Sequence, residues 1–256
     1  MMRVVKIGGR AQGDPRFASV LSRAWNDLPK SLCVVHGGGD EITAMQRALG
    51  REATFVGGRR VTSESDLDLL RMVLSGLVNK RLVNSLVTAG IPAVGLSGED
   101  DSLIGAEIID ADSLGFAGHP TSINAGLLRT LIDAGFMPVI SPVGYDTASG
   151  NGGVLNVNGD DAAAAIAAAL GAEELLLIAD VEGVLDAQGD LVQMLSIESS
   201  RDLITSGVAA GGMAAKLESA HAALLAGVDR VRICGIAGLA DSERGTFITQ
   251  SQGVIS

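Results

Sequence analysis

The chain has 256 residues, 47% of them hydrophobic and only 3% aromatic, with a formal net charge of −11. That charge excludes a general nucleic-acid or anionic-membrane binder, so an anionic substrate needs a local basic site inside an acidic protein. The length suits one large α/β domain or two lobes, with an aliphatic core large enough to be stable alone.

Taken in chain order, short apolar runs at 3–7, 31–35, 92–96, 137–140, 175–178 and 231–234 read as buried strands. Helical stretches are expected between them at 15–28, 40–49, 63–87, 124–134, 160–170, 198–206 and 213–226. Gly50, Gly90, Gly135, Gly171, Gly207 and Gly227 follow six of these as helix stops. Such alternation implies a three-layer α/β/α sandwich with a mostly parallel central sheet. The Ala-rich stretch 162–169 suggests a helix packed closely on that sheet. The loop 144–153 (GYDTASGNGG) reads as the most mobile segment, and a softer lobe boundary is expected near Gly171.

Cys33 and Cys234 both fall inside apolar runs and are expected as buried free thiols of a reducing compartment. The start MMRVVKIGG has no signal-peptide core, and no apolar run reaches the ~18 residues of a membrane span. A cytoplasmic protein with no membrane or nucleic-acid partner is the expectation.

Four stretches carry chemistry. In Lys6-Ile7-Gly8-Gly9 a strand runs into a cation and two glycines, where backbone amides can approach phosphate oxygens with no Cβ in the way. His36-Gly37-Gly38-Gly39-Asp40 lies between a strand and a helix, so its amides and the helix N-terminus face the strand ends where ligands of parallel sheets gather. It is neither a dinucleotide fingerprint nor a Walker loop. With only His36, His119 and His221 present, a histidine metal site or a Ser–His–Asp triad is poorly supported, and His36 reads as a structural residue of the turn.

The third stretch, Leu155-Asn156-Val157-Asn158-Gly159-Asp160, places Asn156 and Asn158 on one side of an extended segment and Asp160 at a helix cap. This is an Asx-rich cap, or two amides for a polar substrate with a carboxylate that holds lysines. The fourth, Gly211-Gly212-Met213-Ala214-Ala215-Lys216, sets Lys216 in the first turn of a helix, against the dipole unless an anion shares the site.

Together and in this order, the four stretches resemble the amino acid kinase family over essentially the whole chain. The runs FVGGRRVT (55–62), GLVNK (76–80) and AVGLSG (93–98) are most similar to its branch that phosphorylates N-acetylglutamate. The resemblance implies an N-terminal amino-acid-substrate lobe (1–170) and a C-terminal nucleotide-binding lobe (171–256) sharing one continuous sheet. It implies ATP with Mg2+, the metal held mainly by the nucleotide phosphates, and N-acetylglutamate as acceptor. Lys6, Lys216 and Asp160 would be catalytic, Asp160 orienting both lysines. Gly8, Gly9, Gly37 and Gly38 would bind phosphoryl oxygens. Gly38, Gly39, Arg60, Asn156 and Asn158 would bind the acceptor, Arg60 pairing with its α-carboxylate. Asp180, Gly211, Gly212 and Lys216 would meet the nucleotide. No dedicated protein metal site is expected. A carboxylate acceptor is already ionised at pH 7, so charge neutralisation and in-line positioning are needed rather than a general base.

Two positions depart from the family pattern. Arg10 stands where the acetylglutamate-phosphorylating branch more often has an uncharged residue and kinases acting on carrier-bound aminoadipate can have arginine, and Asp101 stands where glycine is frequent. A carrier-bound aminoadipate or glutamate, or another N-acylglutamate, is therefore the alternative acceptor, and a non-catalytic sensing module is the remoter one. The run 58–62 and the acidic surface favour the free amino acid, and the presence of Lys6, Asp160 and Lys216 favours catalysis. The resemblance also implies a homodimer that continues the sheet across subunits, with 63–87 expected as part of its contact. Arginine-inhibited members add an N-terminal helix that builds hexamers; with the first strand at Arg3, neither a hexamer nor arginine inhibition is expected.

Overall fold

Strand β1 (Arg3–Ile7) is apolar at three of its five positions and buried at four, and the fold places it inside an eight-stranded sheet. The structure is a computed structural model that describes residues 2–149 and 152–250, positions 9 and 10 by backbone alone. After β1 come α1 (Arg16–Asp27), β2 (Leu32–His36), α2 (Gly39–Ala48) and a hairpin of β3 (Phe55–Val56) and β4 (Arg59–Arg60). A long helical run follows: α3 (Glu64–Leu70), a π-wound segment Arg71–Val78, and α4 (Asn79–Thr88). Next are β5 (Ala93–Ser97), β6 (Ile104–Ile108), α5 (Ala111–Leu114), β7 (Ala117–Ile123), α6 (Ala125–Asp133), β8 (Met137–Ser141), β9 (Val143–Asp146) and β10 (Val154–Val157). The chain continues through α7 (Gly159–Leu170), β11 (Glu174–Ile178), β12 (Met194–Ser196), α8 (Ile197–Thr205), α9 (Gly211–Leu225), β13 (Arg230–Cys234) and β14 (Thr246–Thr249).

The sheet order is β12-β14-β13-β11-β1-β2-β8-β5, parallel throughout except between β13 and β14. Alternation along the strands sorts side chains into two cores. Val4, Cys33, Val35, Ile140 and Leu175 face the layer of α6, α7 and α9. Val5, Ile7, Val34, Val139 and Leu176 face Phe17, Leu21 and Trp25 of α1 and Leu82 and Leu86 of α4. This is the three-layer α/β/α arrangement. The two cysteines are buried on opposite faces, Cys33 under α7 and Cys234 under α1. Burial pushes the Cys234 thiol up to about 12, the nearby Arg232 opposing. The alanines of α7 sit directly on the sheet, with Ala162, Ala163 and Ala167 fully enclosed. Gly171 ends that helix at φ 64.

Two expectations are corrected. The run 63–87 is continuous but not uniformly α-helical, because Arg71–Val78 winds as a π-helix. The segment 144–153 is not a free loop: Gly144, Tyr145 and Asp146 belong to β9 in a closed barrel of β10-β7-β6-β9. A Cβ on Gly144 would lie 2.8 Å from Val157 Cγ2, so this glycine allows close packing rather than motion. Gly150 and Asn151 of that segment lie outside the described residues. The barrel strands, the β3–β4 hairpin, β12 and β14 were absent from the sequence reading.

Asp101 adopts φ 48, a left-handed conformation that glycine enters without strain. Its carboxylate accepts from Asn124 Nδ2 at 2.8 Å, and Asn124 Oδ1 in turn caps α6 through the amide of Leu127. Asp101→Ala should therefore lower stability by about 1–2 kcal/mol, losing the bond and keeping the strain. Asp101→Gly, which relieves the strain, should lie within about 1 kcal/mol of wild type. Calorimetric melting of both variants checks this, and equal losses would refute it.

Candidate functional site

Alternation puts Lys6 on the α7 face of β1, at the carboxyl end of the strand. The glycine turns after β1 and β2 are stitched together by Gly37 N–H, which donates to Ile7 O at 2.8 Å. Above them is a cavity of about 200 Å3, lined among others by Lys6, Gly8, Gly37, Gly38, Gly39, Arg60, Asn156, Asn158 and Asp160. Lys6 Nζ lies 2.9 Å from Asp160 Oδ1, and Lys216 Nζ donates to Asp160 Oδ2 at 3.0 Å.

Burial by itself would raise the Asp160 carboxyl, but the charges and hydrogen bonds of Lys6 and Lys216 outweigh it and hold the group below the usual carboxylate range. Burial and the charge of Lys6 lower Lys216, against the pull of Asp160. Two ammonium groups thus share one buried carboxylate, which leaves an excess of positive charge beside bare backbone amides. That is an anion-binding arrangement. The absence of a side chain matters at Gly8, where a Cβ would come 2.7 Å from Lys6 Nζ and displace the ammonium.

Asn158 caps α7, its Oδ1 accepting from the amide of Asp160 at 2.8 Å, and so fixes where Asp160 points. Asn156 Nδ2 donates to Thr62 Oγ1 at 2.8 Å. Arg60 is buried over the Phe55 ring, 4.7 Å from its centroid. Its guanidinium donates to Gln46 Oε1 (2.6 Å), Gly39 O (2.9 Å) and Thr43 Oγ1 (2.8 Å), all neutral oxygens. Burial lowers it from its ordinary value, opposed by the charges of Asp66 and Asp40. A buried cation held by neutral partners is oriented for an incoming carboxylate.

His36 is fully enclosed, Nδ1 donating to Gly37 O at 2.7 Å and Nε2 accepting from Asn79 Nδ2 at 3.1 Å. Burial pushes its pKa down to about 4, the bond to Gly37 opposing and the charges of Lys6 and Lys80 adding. The unfolded chain binds this proton near 6.5 and the folded one only near 4, so stability is complete above 6.5 and falls as pH drops toward 4. The loss between pH 7.5 and 4 should be about 3 kcal/mol larger in wild type than in His36→Asn. Urea unfolding across that range checks it; parallel pH slopes would refute it.

Of the residues expected at the site, nine line the cavity as named above. Lys216 reaches it through Asp160, from the second turn of α9 rather than the first, because the helix begins at Gly211. Its opposition to the helix dipole is correspondingly small. Gly211 lies beside the hairpin tip, its carbonyl 3.5 Å from where a Cβ of Gly58 would sit; Gly211 and Gly212 are outside the cavity lining. Asp180 is also outside it, its Oδ1 accepting from the amide of Ala11 at 3.0 Å just past Gly9. The side chain of Arg10 lies outside the described residues. Sequence reading gave no individual role to Gln46, Thr62, Arg59 or Asp161, although Arg59 and Thr62 stand in the run 55–62 that carries the resemblance. Only the doublets Arg59-Arg60 and Asp160-Asp161 could have signalled Arg59 and Asp161.

Residues 1–235 match the model of the amino acid kinase family. The chain belongs to the amino acid kinase family. Among the relatives of this amino acid kinase, the acetylglutamate kinase of Cereibacter sphaeroides is 42% identical over 260 residues, covering 97% of this chain and 88% of that one. The acetylglutamate kinase of Paracoccus denitrificans is 44% identical over 233 residues, covering 90% and 76%. Of solved structures, smu.665 from Streptococcus mutans UA159 superposes with a TM-score of 0.88 at 32% identity, covering 98% of this chain and 99% of that one. The N-acetylglutamate synthase of Neisseria gonorrhoeae, complexed with coenzyme A and N-acetyl-glutamate, gives 0.81 at 26% identity, over 98% of this chain and 60% of that one. Carbamate kinase from Giardia lamblia bound to AMP-PNP shares the fold, with a TM-score of 0.74 at 16% identity, over 98% of each chain.

Proposed function

We propose that this amino acid kinase transfers the γ-phosphoryl group of ATP to the side-chain carboxylate of N-acetylglutamate, forming an acyl phosphate in arginine biosynthesis. The observation that carries the reading is Asp160 held between Lys6 and Lys216 beside a glycine-lined cavity. In the reaction a carboxylate oxygen bonds to the γ-phosphorus while the bond to the bridging oxygen of ADP breaks, and no proton moves. Negative charge spreads over the transferring oxygens, which Lys6 and Lys216 neutralise while the amides of Gly8, Gly9, Gly37 and Gly38 hold them. Arg60 takes the α-carboxylate with help from Asn156, and Asn158, Gly38 and Gly39 complete the acceptor pocket. Residues 171–256 form the nucleotide lobe and 1–170 the acceptor lobe, with Asp180, Gly211 and Gly212 on the nucleotide side.

Among the described residues no cluster of three or more His, Cys, Asp or Glu gathers at metal-binding distance. The cationic, amide-rich donor set fits a Mg2+ that arrives on the ATP phosphates and neutralises part of their charge. No helix among the described residues is long and apolar enough to cross a membrane, and a cytoplasmic location fits this chemistry. Hydroxylamine trapping of acyl phosphate tests the acceptor, with acetylglutamate, succinylglutamate, glutamate, aspartate and acetylaminoadipate offered in parallel. Acetylglutamate should be preferred; faster turnover of another member, or none of any, would overturn the reading.

The proposed assembly is a homodimer. Strand β5 is an end strand of the sheet, and the adjoining helical run exposes Met72, Leu77 and Val87, an apolar surface suited to a second copy. Light scattering should give a dimer, and Leu77→Asp should shift it toward monomer. A wild-type monomer would refute this.

A further inference from the structure

Asp161 follows Asp160 in the first turn of α7 yet takes no part in holding the lysines. Its Oδ2 receives Nη1 of Arg59 from β4, and its Oδ1 receives Ser219 Oγ from α9 at 2.6 Å. Both contacts are partly shielded, with side-chain exposures of 28% for Arg59 and 15% for Asp161. Three separate elements therefore meet on one carboxylate, and each also carries a group of the proposed active site.

On β4, Arg59 and Arg60 are adjacent and point oppositely: Arg60 goes to α2 while Arg59 goes to α7. On α9, Ser219 lies three residues beyond Lys216, on the same side of the helix. The hairpin tip touches that helix independently, with a Cβ on Gly58 placed 3.9 Å from Ala215 Cβ. Gly57 (φ 55) and Gly58 (φ 77) give the two-residue turn the left-handed backbone that closes a tight hairpin. The β3–β4 pair has only two residues per strand and exposes Phe55 and Val56. Its base is tied down at Thr62, whose amide donates to Leu114 O at 3.0 Å and whose carbonyl accepts from the Phe116 amide at 2.8 Å, while the Arg59 and Arg60 side chains fix the strands themselves.

We infer that Asp161 is a positioning residue: it clasps the Arg60-bearing hairpin to the Lys216-bearing helix, so that acceptor binding and the placement of Lys216 are coupled. The coupling rests on the proposed kinase reading only where activity is measured. A clasp of this kind works through geometry, so its loss should be felt in turnover and in the joint order of hairpin and helix, with the fold unchanged.

The test is a cycle of Arg59→Gln, Asp161→Asn and the double variant, measured by kinetics and by hydrogen exchange. Each single variant should lower kcat/KM for acetylglutamate about ten- to a hundredfold, and the double variant should be no worse than the poorer single. Melting temperatures should stay within about 3 °C of wild type. Without any substrate, amides of the hairpin and of the first turns of α9 should exchange faster together in Asp161→Asn. Multiplying effects in the double variant, or faster exchange in the hairpin alone, would overturn the clasp. Failure of the kinase reading would look different: the wild type would form no acyl phosphate, while the exchange result would still decide the clasp.

Discussion

Lys6→Ala and Lys216→Ala are each expected to lower kcat about a hundred- to a thousandfold, equivalent to about 2.7–4 kcal/mol of transition-state stabilisation. Both ammonium groups are set in place before any substrate arrives, by bonds of 2.9 Å and 3.0 Å to the two oxygens of Asp160. They need no reorganisation when charge builds on the transferring oxygens, which is why their effect should appear in kcat. Ground-state binding of ATP should weaken far less, since amides of the glycine turns survive either substitution. The fold should also survive, because Asp160 keeps one lysine in each variant. Steady-state kinetics with melting curves as a control checks this. Near-normal kcat in both variants, or a change confined to KM, would remove the lysines from the chemistry.

Arg60→Lys should raise KM for acetylglutamate about ten- to a hundredfold and leave KM for ATP nearly unchanged. The guanidinium is held flat over Phe55 and braced by Gln46, Gly39 and Thr43, so its remaining edge has a fixed direction. A carboxylate that displaces one of the two neutral oxygens on Nη2 can meet the freed edge with two parallel charge-assisted bonds. Lysine keeps the charge but presents one point, and it cannot reach the same bracing oxygens at once. The measurement is a pair of substrate titrations on the variant. A carrier-bound acceptor would give weak wild-type activity on free acetylglutamate and no specific KM effect at Arg60, which would replace the proposed substrate.

Six of the eight sheet strands (β1, β2, β5, β8, β11 and β13) were legible because each is a mostly apolar run, and all but the end strand β5 are buried on both faces. The glycine turns were legible too, since amides free of side chains sit at local positions set by the strand ends. Strand β7 (AGHPTSI) shows the opposite case: with Pro120 and alternating small and polar residues it has no buried run, and it forms by pairing with β6 and β10. The same limit applies to Arg59 and Asp161, which meet across 102 residues of chain. Local sequence determined which groups stand at the carboxyl ends of the strands, including Lys6 after β1 and Asp160 at the cap of α7. Only tertiary packing decided that Lys6 and Lys216 share Asp160, because α9 is brought to α7 by burial of its own apolar face, a contact no local pattern encodes.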